Sequence, residues 1–178
     1  MALRLWPPVA VVAMVLLGWA VGRGSTPVDD WFHRYGHRSA HLLLFFTDPV
    51  LLAAVVVATL AVALSRRQWR LAIATAVCPL LAMALARLLK PLFGRQRGDA
   101  FAYPSGHTTT LVVVMGMAVL VAGAALWAVL AAVAYSLLGL LGQAVSYHYF
   151  TDAIGAVLLG TAIVCTAALV AGHLPHRT

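Results

Sequence analysis

The chain contains no glutamate and little charge of either sign. Charged residues make up 10% of its 178 positions, and its five acids are all aspartate (Asp29, Asp30, Asp48, Asp99, Asp152), set against twelve Lys and Arg. Apart from the adjacent Asp29 and Asp30 these aspartates are dispersed along the sequence, which leaves no acidic cluster able to hold Mg²⁺. Cysteine is nearly absent too. Cys78 and Cys165 both lie inside apolar runs, where thiols serve as packing residues, so no disulfide is expected. The polar residues are too few to cover a soluble domain: the chain is 63% hydrophobic with a mean hydropathy of +0.95. Several stretches are long enough to span a bilayer, which makes this an integral membrane protein. A formal charge of +7 would suggest nucleic acid in a soluble protein. Here it reflects orientation signals and an anionic substrate, and no nucleic-acid partner is expected.

The apolar segments define the expected fold class: an all-α, polytopic membrane helix bundle of six transmembrane helices, with an interfacial helix between the first and second. All of residues 1–178 form one domain. Residues 5 to 22 make the first span, flanked by Arg4 and Arg23, with Pro7 and Pro8 tolerated near its start. Its alternative reading is a signal peptide ending at Ala20-Val21-Gly22, against which stands a positive region of one Arg. Residues 28 to 46 are mixed. Asp29 or Asp30 can cap a surface helix that stacks His33, His37 and His41 on one face beside Arg34 and Arg38. Those imidazoles read as interfacial polar residues or as a metal or headgroup site. Asp48-Pro49 has the form of a helix start, with the apolar run continuing to Leu64. Ser65 to Arg70 is a basic loop, and residues 71 to 89 form the third span.

Residues 108 to 145 are almost uninterruptedly apolar. At about 1.5 Å per residue they cover roughly 57 Å, close to two bilayer cores of about 30 Å, so they must form a hairpin, turning near Gly123. Residues 152 to 172 give the sixth span. No internal repeat is evident. The hairpin has a mechanistic consequence: two spans between His107 and His148 return the chain to the side it left, where Lys90 and Arg97 also lie.

Orientation is set by Lys and Arg in short loops. With the N-terminus inside, Arg4, Arg66, Arg67, Arg70 and Arg177 are cytoplasmic, while seven basic residues lie on the other side. Because Lys90, Arg95 and Arg97 among those seven belong to the candidate site, the dense Arg66-Arg67-Arg70 loop decides the orientation. The site is expected on the extracytoplasmic face of the cell membrane.

The chemistry sits where polar residues interrupt this oil. Ionisable groups bordering apolar helices are costly and mark function. Ser105-Gly106-His107 begins the fourth span, where unpaired backbone N–H groups and the helix dipole bind phosphate oxygens. Gly106 permits close approach, the Ser105 hydroxyl adds a donor, and Lys90 and Arg97 supply full charges. His148 and Asp152, four apart, become neighbours if the sixth helix starts near His148. The carboxylate then fixes one ring nitrogen and leaves the other nucleophilic, and His107 is left to protonate the departing oxygen.

The stretch Lys90-Pro91-Leu92-Phe93-Gly94-Arg95-Gln96-Arg97 resembles the first motif of the type-2 phosphatidic acid phosphatase family of membrane lipid phosphatases, relatives of the vanadium haloperoxidases. Pro104-Ser105-Gly106-His107 is similar to its second motif, and His148 with Asp152 to the end of its third. The motif-bearing core runs from about residue 87 to 156. The resemblance implies a metal- and cofactor-free phosphatase acting on a phosphomonoester or pyrophosphate of an isoprenoid or glycerolipid. His148 would form a phosphohistidine supported by Asp152, and His107 would act as acid and then base. Lys90, Arg97, Ser105 and Gly106 would hold the phosphoryl oxygens. The implied partners are a lipid phosphate and the bilayer; no oligomeric state is implied.

Two departures stand out. Gly98 replaces the proline that usually follows the second Arg, which implies a changed loop. Leu141-Gly142 replaces the Ser-Arg pair that opens the third motif. Loss of one such transition-state contact typically costs about 3 to 4 kcal/mol. Arg95, Gln143 or a basic residue of the 33–41 segment are the candidates to reach the same oxygens, and Gly142→Arg is expected to raise activity if the missing charge is limiting. A phosphotransferase using the same phosphohistidine and a degenerate lipid-phosphate binder are the alternative functions.

Overall fold

The computed structural model describes residues 2–34 and 38–172, with residues 2 and 38–41 described by backbone alone. His37, His173, His176 and Arg177 lie outside the described residues, as do the side chains of Arg38 and His41. Seven α-helices occur in the order α1 (Ala2–Ala20), α2 (Pro27–Arg34), α3 (Pro49–Ser65), α4 (Trp69–Phe93), α5 (Gly106–Val121), α6 (Leu126–Ser146) and α7 (Phe150–Ala171). A 3-10 segment, Arg38–Thr47, precedes α3, and a two-stranded antiparallel hairpin, β1 (Gln96–Arg97) and β2 (Ala100–Phe101), separates α4 from α5.

Six apolar helices thus stand where six spans were expected. Four of them (α1, α4, α6, α7) are long and apolar enough to cross a membrane, and α3 and α5 are shorter. At 1.5 Å per residue these two reach about 26 and 24 Å, a little under the bilayer's hydrocarbon thickness. Such brevity suits α5, which lies in the middle of the bundle against α3, α4, α6 and α7. Leu111, Val113 and Met117 are fully buried there, and apolar residues on every face are what a central helix requires. The outer helices instead expose large apolar side chains such as Leu5, Trp19, Ile73, Leu80, Trp127 and Val170, a multi-pass surface suited to lipid.

Local signals explain the boundaries. The Asp48 carboxylate accepts the N–H of Val50 and Leu51, with Pro49 in the first turn of α3. The α5–α6 turn falls at Gly123 (φ +72°) and Ala124 (φ +55°), as the hairpin argument required. Helix α4 runs past its expected end through Pro91 to a left-handed Gly94 cap, so Lys90 occupies the last helical turn.

The 28–46 segment differs from expectation. It is not one α-helix: α2 ends at Arg34, and the chain beyond residue 37 winds as a 3-10 helix. Of the expected stack of His33, His37 and His41, His33 lies on α2, while His37 and the side chain of His41 lie outside the described residues. The reason for the 3-10 winding lies in packing. The 3-10 segment runs along α6, where Gly139 and Gly142 leave the space it occupies.

Candidate active site

The end of α4, the hairpin, the start of α5 and the α6–α7 connection meet at one end of the bundle. The Ser105 N–H donates to the Asp152 carbonyl (3.3 Å), joining the two helix starts directly. Tyr103, before the cis Tyr103–Pro104 bond, is fully buried and donates its hydroxyl to the Met14 carbonyl of α1. Its ring fills the space left by Gly18 of α1 and Gly155 of α7, where any Cβ would collide with it. Burial pushes the Tyr103 phenol far above its usual range, so it stays a neutral donor.

Ser105 caps α5. Its Oγ accepts the Thr108 N–H (3.4 Å) and lies 3.1 Å from Thr108 Oγ1. Gly106 is buried against Met83, and His107, in the first turn, is exposed. With the Thr108 N–H taken by the cap, the Gly106 and His107 N–H groups have no partner within the helix and are available to an anion. The Lys90 ammonium donates to the Phe101 carbonyl (2.7 Å), which ties the last turn of α4 to β2.

His148 does not lie on α7 as the i, i+4 argument assumed. It sits in the short connection before the helix, whose N-cap is Tyr149. The pairing with Asp152 survives by another route: at the third position of α7, Asp152 turns back so that Oδ2 accepts the Tyr149 N–H (3.1 Å). The same oxygen is 3.6 Å from His148 Nδ1, one small ring movement beyond a hydrogen bond. Asp152 is fully buried and His148 is 9% exposed.

Arg95 and Arg97, two residues apart, have different tasks. Arg97 Nη2 donates to the Ser146 carbonyl (2.9 Å) at the end of α6, and its Nη1 has no partner among the described residues. The guanidinium lies 5.3 Å from the Tyr149 ring centre. One edge is therefore held and the other is offered to the site. Arg95, considered as a further oxygen ligand, is fully buried, and each of its five N–H groups is engaged. Nε and Nη2 donate to Gly24 O (3.1 and 2.9 Å), Nη2 also to Asp29 Oδ2 (2.6 Å), and Nη1 to Thr151 Oγ1 (2.6 Å) and Asp152 Oδ1 (2.8 Å). No donor is left for a phosphate.

Gln143 is likewise turned inward: it is 3% exposed and its Nε2 donates to Thr47 Oγ1 (2.7 Å). At Gly142 an added Cβ would fall 2.7 Å from the Leu43 carbonyl carbon and 2.8 Å from its oxygen. The backbone of the 3-10 segment thus fills the place from which an arginine would start. Gly98 has φ +59°, which the proline ring cannot adopt, so the altered residue and the altered loop are one feature.

Sequence reasoning treated Asp29 as a helix cap and missed its central role. Asp29 is fully buried, accepts the Thr151 N–H (3.0 Å) and pairs with Arg95 across 66 residues. Burial alone would raise its carboxyl, but the N–H groups of Thr151 and Thr26, the Thr26 hydroxyl and Arg95 outweigh it and hold the pKa below the usual value. Tyr149, which stacks on both arginines, was also missed. Among the described residues no group of three or more His, Cys, Asp or Glu is placed to hold a metal ion.

Comparison with protein-family models and with curated proteins finds no match. Among solved structures, the chain is similar to the "first transmembrane PAP2 type phosphatidylglycerolphosphate phosphatase from Bacillus subtilis". The TM-score is 0.75 and the identity 16%, over 100% of both chains. The two chains thus share one helix-bundle fold over their whole length.

Proposed function

We propose that this protein is a multi-pass membrane phosphatase that hydrolyses a lipid phosphate or pyrophosphate through a phosphohistidine. The observation that carries the reading is the convergence of His148 and Asp152 with the open edge of Arg97 and the N-terminus of α5. Asp152 accepts the Nδ1 proton, so the Nε2 lone pair attacks phosphorus. The ester P–O bond breaks as the P–N bond forms, and His107 gives its proton to the leaving oxygen. His107 then takes a proton from water, whose oxygen displaces His148 and releases inorganic phosphate. Lys90, Arg97, Ser105 and the Gly106 backbone spread the charge on the equatorial oxygens. In this reading α3 and α5 also span, completing six crossings, and the site opens outward at the level of the headgroups, where apolar tails select an isoprenoid or glycerolipid.

The filled space at Gly142 favours a second reading, a lipid-phosphate binder without turnover. One experiment separates them. Phosphate release from a panel of lipid phosphates, phosphatidylglycerophosphate and a polyprenyl pyrophosphate included, is measured on purified protein in EDTA, with His148→Ala as control. Release that persists in EDTA and is lost in His148→Ala supports the hydrolase; a new phosphoester instead of free phosphate indicates a transferase. Normal turnover in His148→Ala would remove the nucleophile assignment.

A further inference from the structure

Three buried polar atoms around the site have no hydrogen-bond partner among the described residues: His33 Nε2, Arg97 Nη1 and Ser146 Oγ. Buried polar atoms left unpaired are costly, and a group of them around one ring of residues implies a missing polar occupant. Their neighbours tie them together. Tyr149 follows His148, its ring lies 5.7 Å from the His33 ring and 5.3 Å from the Arg97 guanidinium, and Arg97 is bonded to the Ser146 carbonyl.

His33 is held there firmly. It lies one helical turn from Asp29 on α2, so the face locked to Arg95 and Thr151 also presents His33. Phe32, beside it, stacks flat on Phe150 at 4.0 Å. We propose that His33 is a phosphoryl-oxygen ligand, supplying from α2 the cationic donor that α6 lacks at Gly142. The inference rests on the phosphatase reading for its substrate, but its geometry requires only a phosphate anion. Burial and then the Arg97 charge push the His33 imidazole down, whereas Asp29, Asp30 and Asp152 act weakly the other way. An arriving phosphate dianion reverses that balance, so Nε2 takes up a proton and donates it to the oxygen as a charge-assisted hydrogen bond.

The test uses the full chain in detergent and inorganic phosphate as probe, followed by ³¹P NMR titration. One hydrogen bond to a charged group corresponds to about a 10- to 100-fold change in affinity. His33→Ala is expected to weaken phosphate binding by that factor. His33→Arg should restore most of it and His33→Gln only part. Unchanged affinity in His33→Ala overturns the proposal, as does equal weakening in all three variants, which marks a purely structural role. In the wild type, where folding is not in question, the His33 ring resonances must move as phosphate is added; their immobility overturns it too. Lipid turnover is scored separately. Phosphate bound through His33 without turnover removes the phosphatase reading alone, and turnover with phosphate affinity indifferent to His33 removes this one alone.

Discussion

Arg95 and Arg97 flank a single glutamine, and the regions they organise are opposites. Around Arg95 every donor meets an acceptor: two buried carboxylates, a carbonyl and a hydroxyl close a network linking α2, the hairpin and α7. Around Arg97 one nitrogen is held and the other is unpaired, and His33 and Ser146 each keep an atom without a partner among the described residues. The satisfied region is a frame, and the unsatisfied region is where the proposed ligand would sit. The same residue type, two positions apart, builds rigidity in one place and receptivity in the other.

The largest effect that tests this contrast is expected from Arg95→Ala. It leaves Asp29 and Asp152 buried and unpaired, a loss of about 3 to 5 kcal/mol, seen as a much lower melting temperature in detergent together with lost turnover. Arg97→Ala should do the reverse, keeping the fold while lowering kcat/KM about 10²- to 10³-fold. If both variants melt alike, the division between frame and site is wrong. His107→Ala should slow a poor alkoxide leaving group far more than an activated aryl one, because only the former needs the proton. Equal slowing of the two would reassign the acid.

Next comes Gly142→Arg. Without the structure it is a candidate gain of function, but with Leu43 in contact it should instead cost about 1 to 3 kcal/mol of overpacking and lower activity by displacing the 3-10 segment. A rise in activity would show that the segment yields readily. The smallest effect is on acid stability. The Asp29 pKa is lowered on folding, so its contribution is complete above the unfolded value of 3.8 and is lost as pH falls through the folded one. Asp29→Asn should therefore flatten the stability profile only at the acid end, and an unchanged profile would count against Asp29 as a tie.

Much of this was legible in the sequence. Apolar run lengths located the helices, Asp48-Pro49 fixed the start of α3, and the length of the 108–145 run required the turn that Gly123 makes. The count of crossings between His107 and His148 anticipated that both approach the same end of the bundle. What could not be read depends on contacts between distant segments. Nothing local distinguishes Arg95 from Arg97; the difference comes from Asp29, 66 residues earlier. Likewise the 28–46 segment read as one α-helix, whereas its second part, packed against two glycines of α6, is a 3-10 helix. Gly142 read as a missing charge is, in three dimensions, a place already taken.

The seat of Tyr103 between Gly18 and Gly155 carries a consequence for biosynthesis. It draws on α1 and α7, which lie on either side of the loop in the chain, and α1 packs along α7. The Pro104–His107 loop therefore has no finished support until α7, made well after it, has packed against α1. A nascent chain in which α1 to α6 have formed would already carry Lys90, Arg97, Ser105 and His107, yet the loop would still lack the Gly155 side of its seat, so its shape is set only when α7 docks.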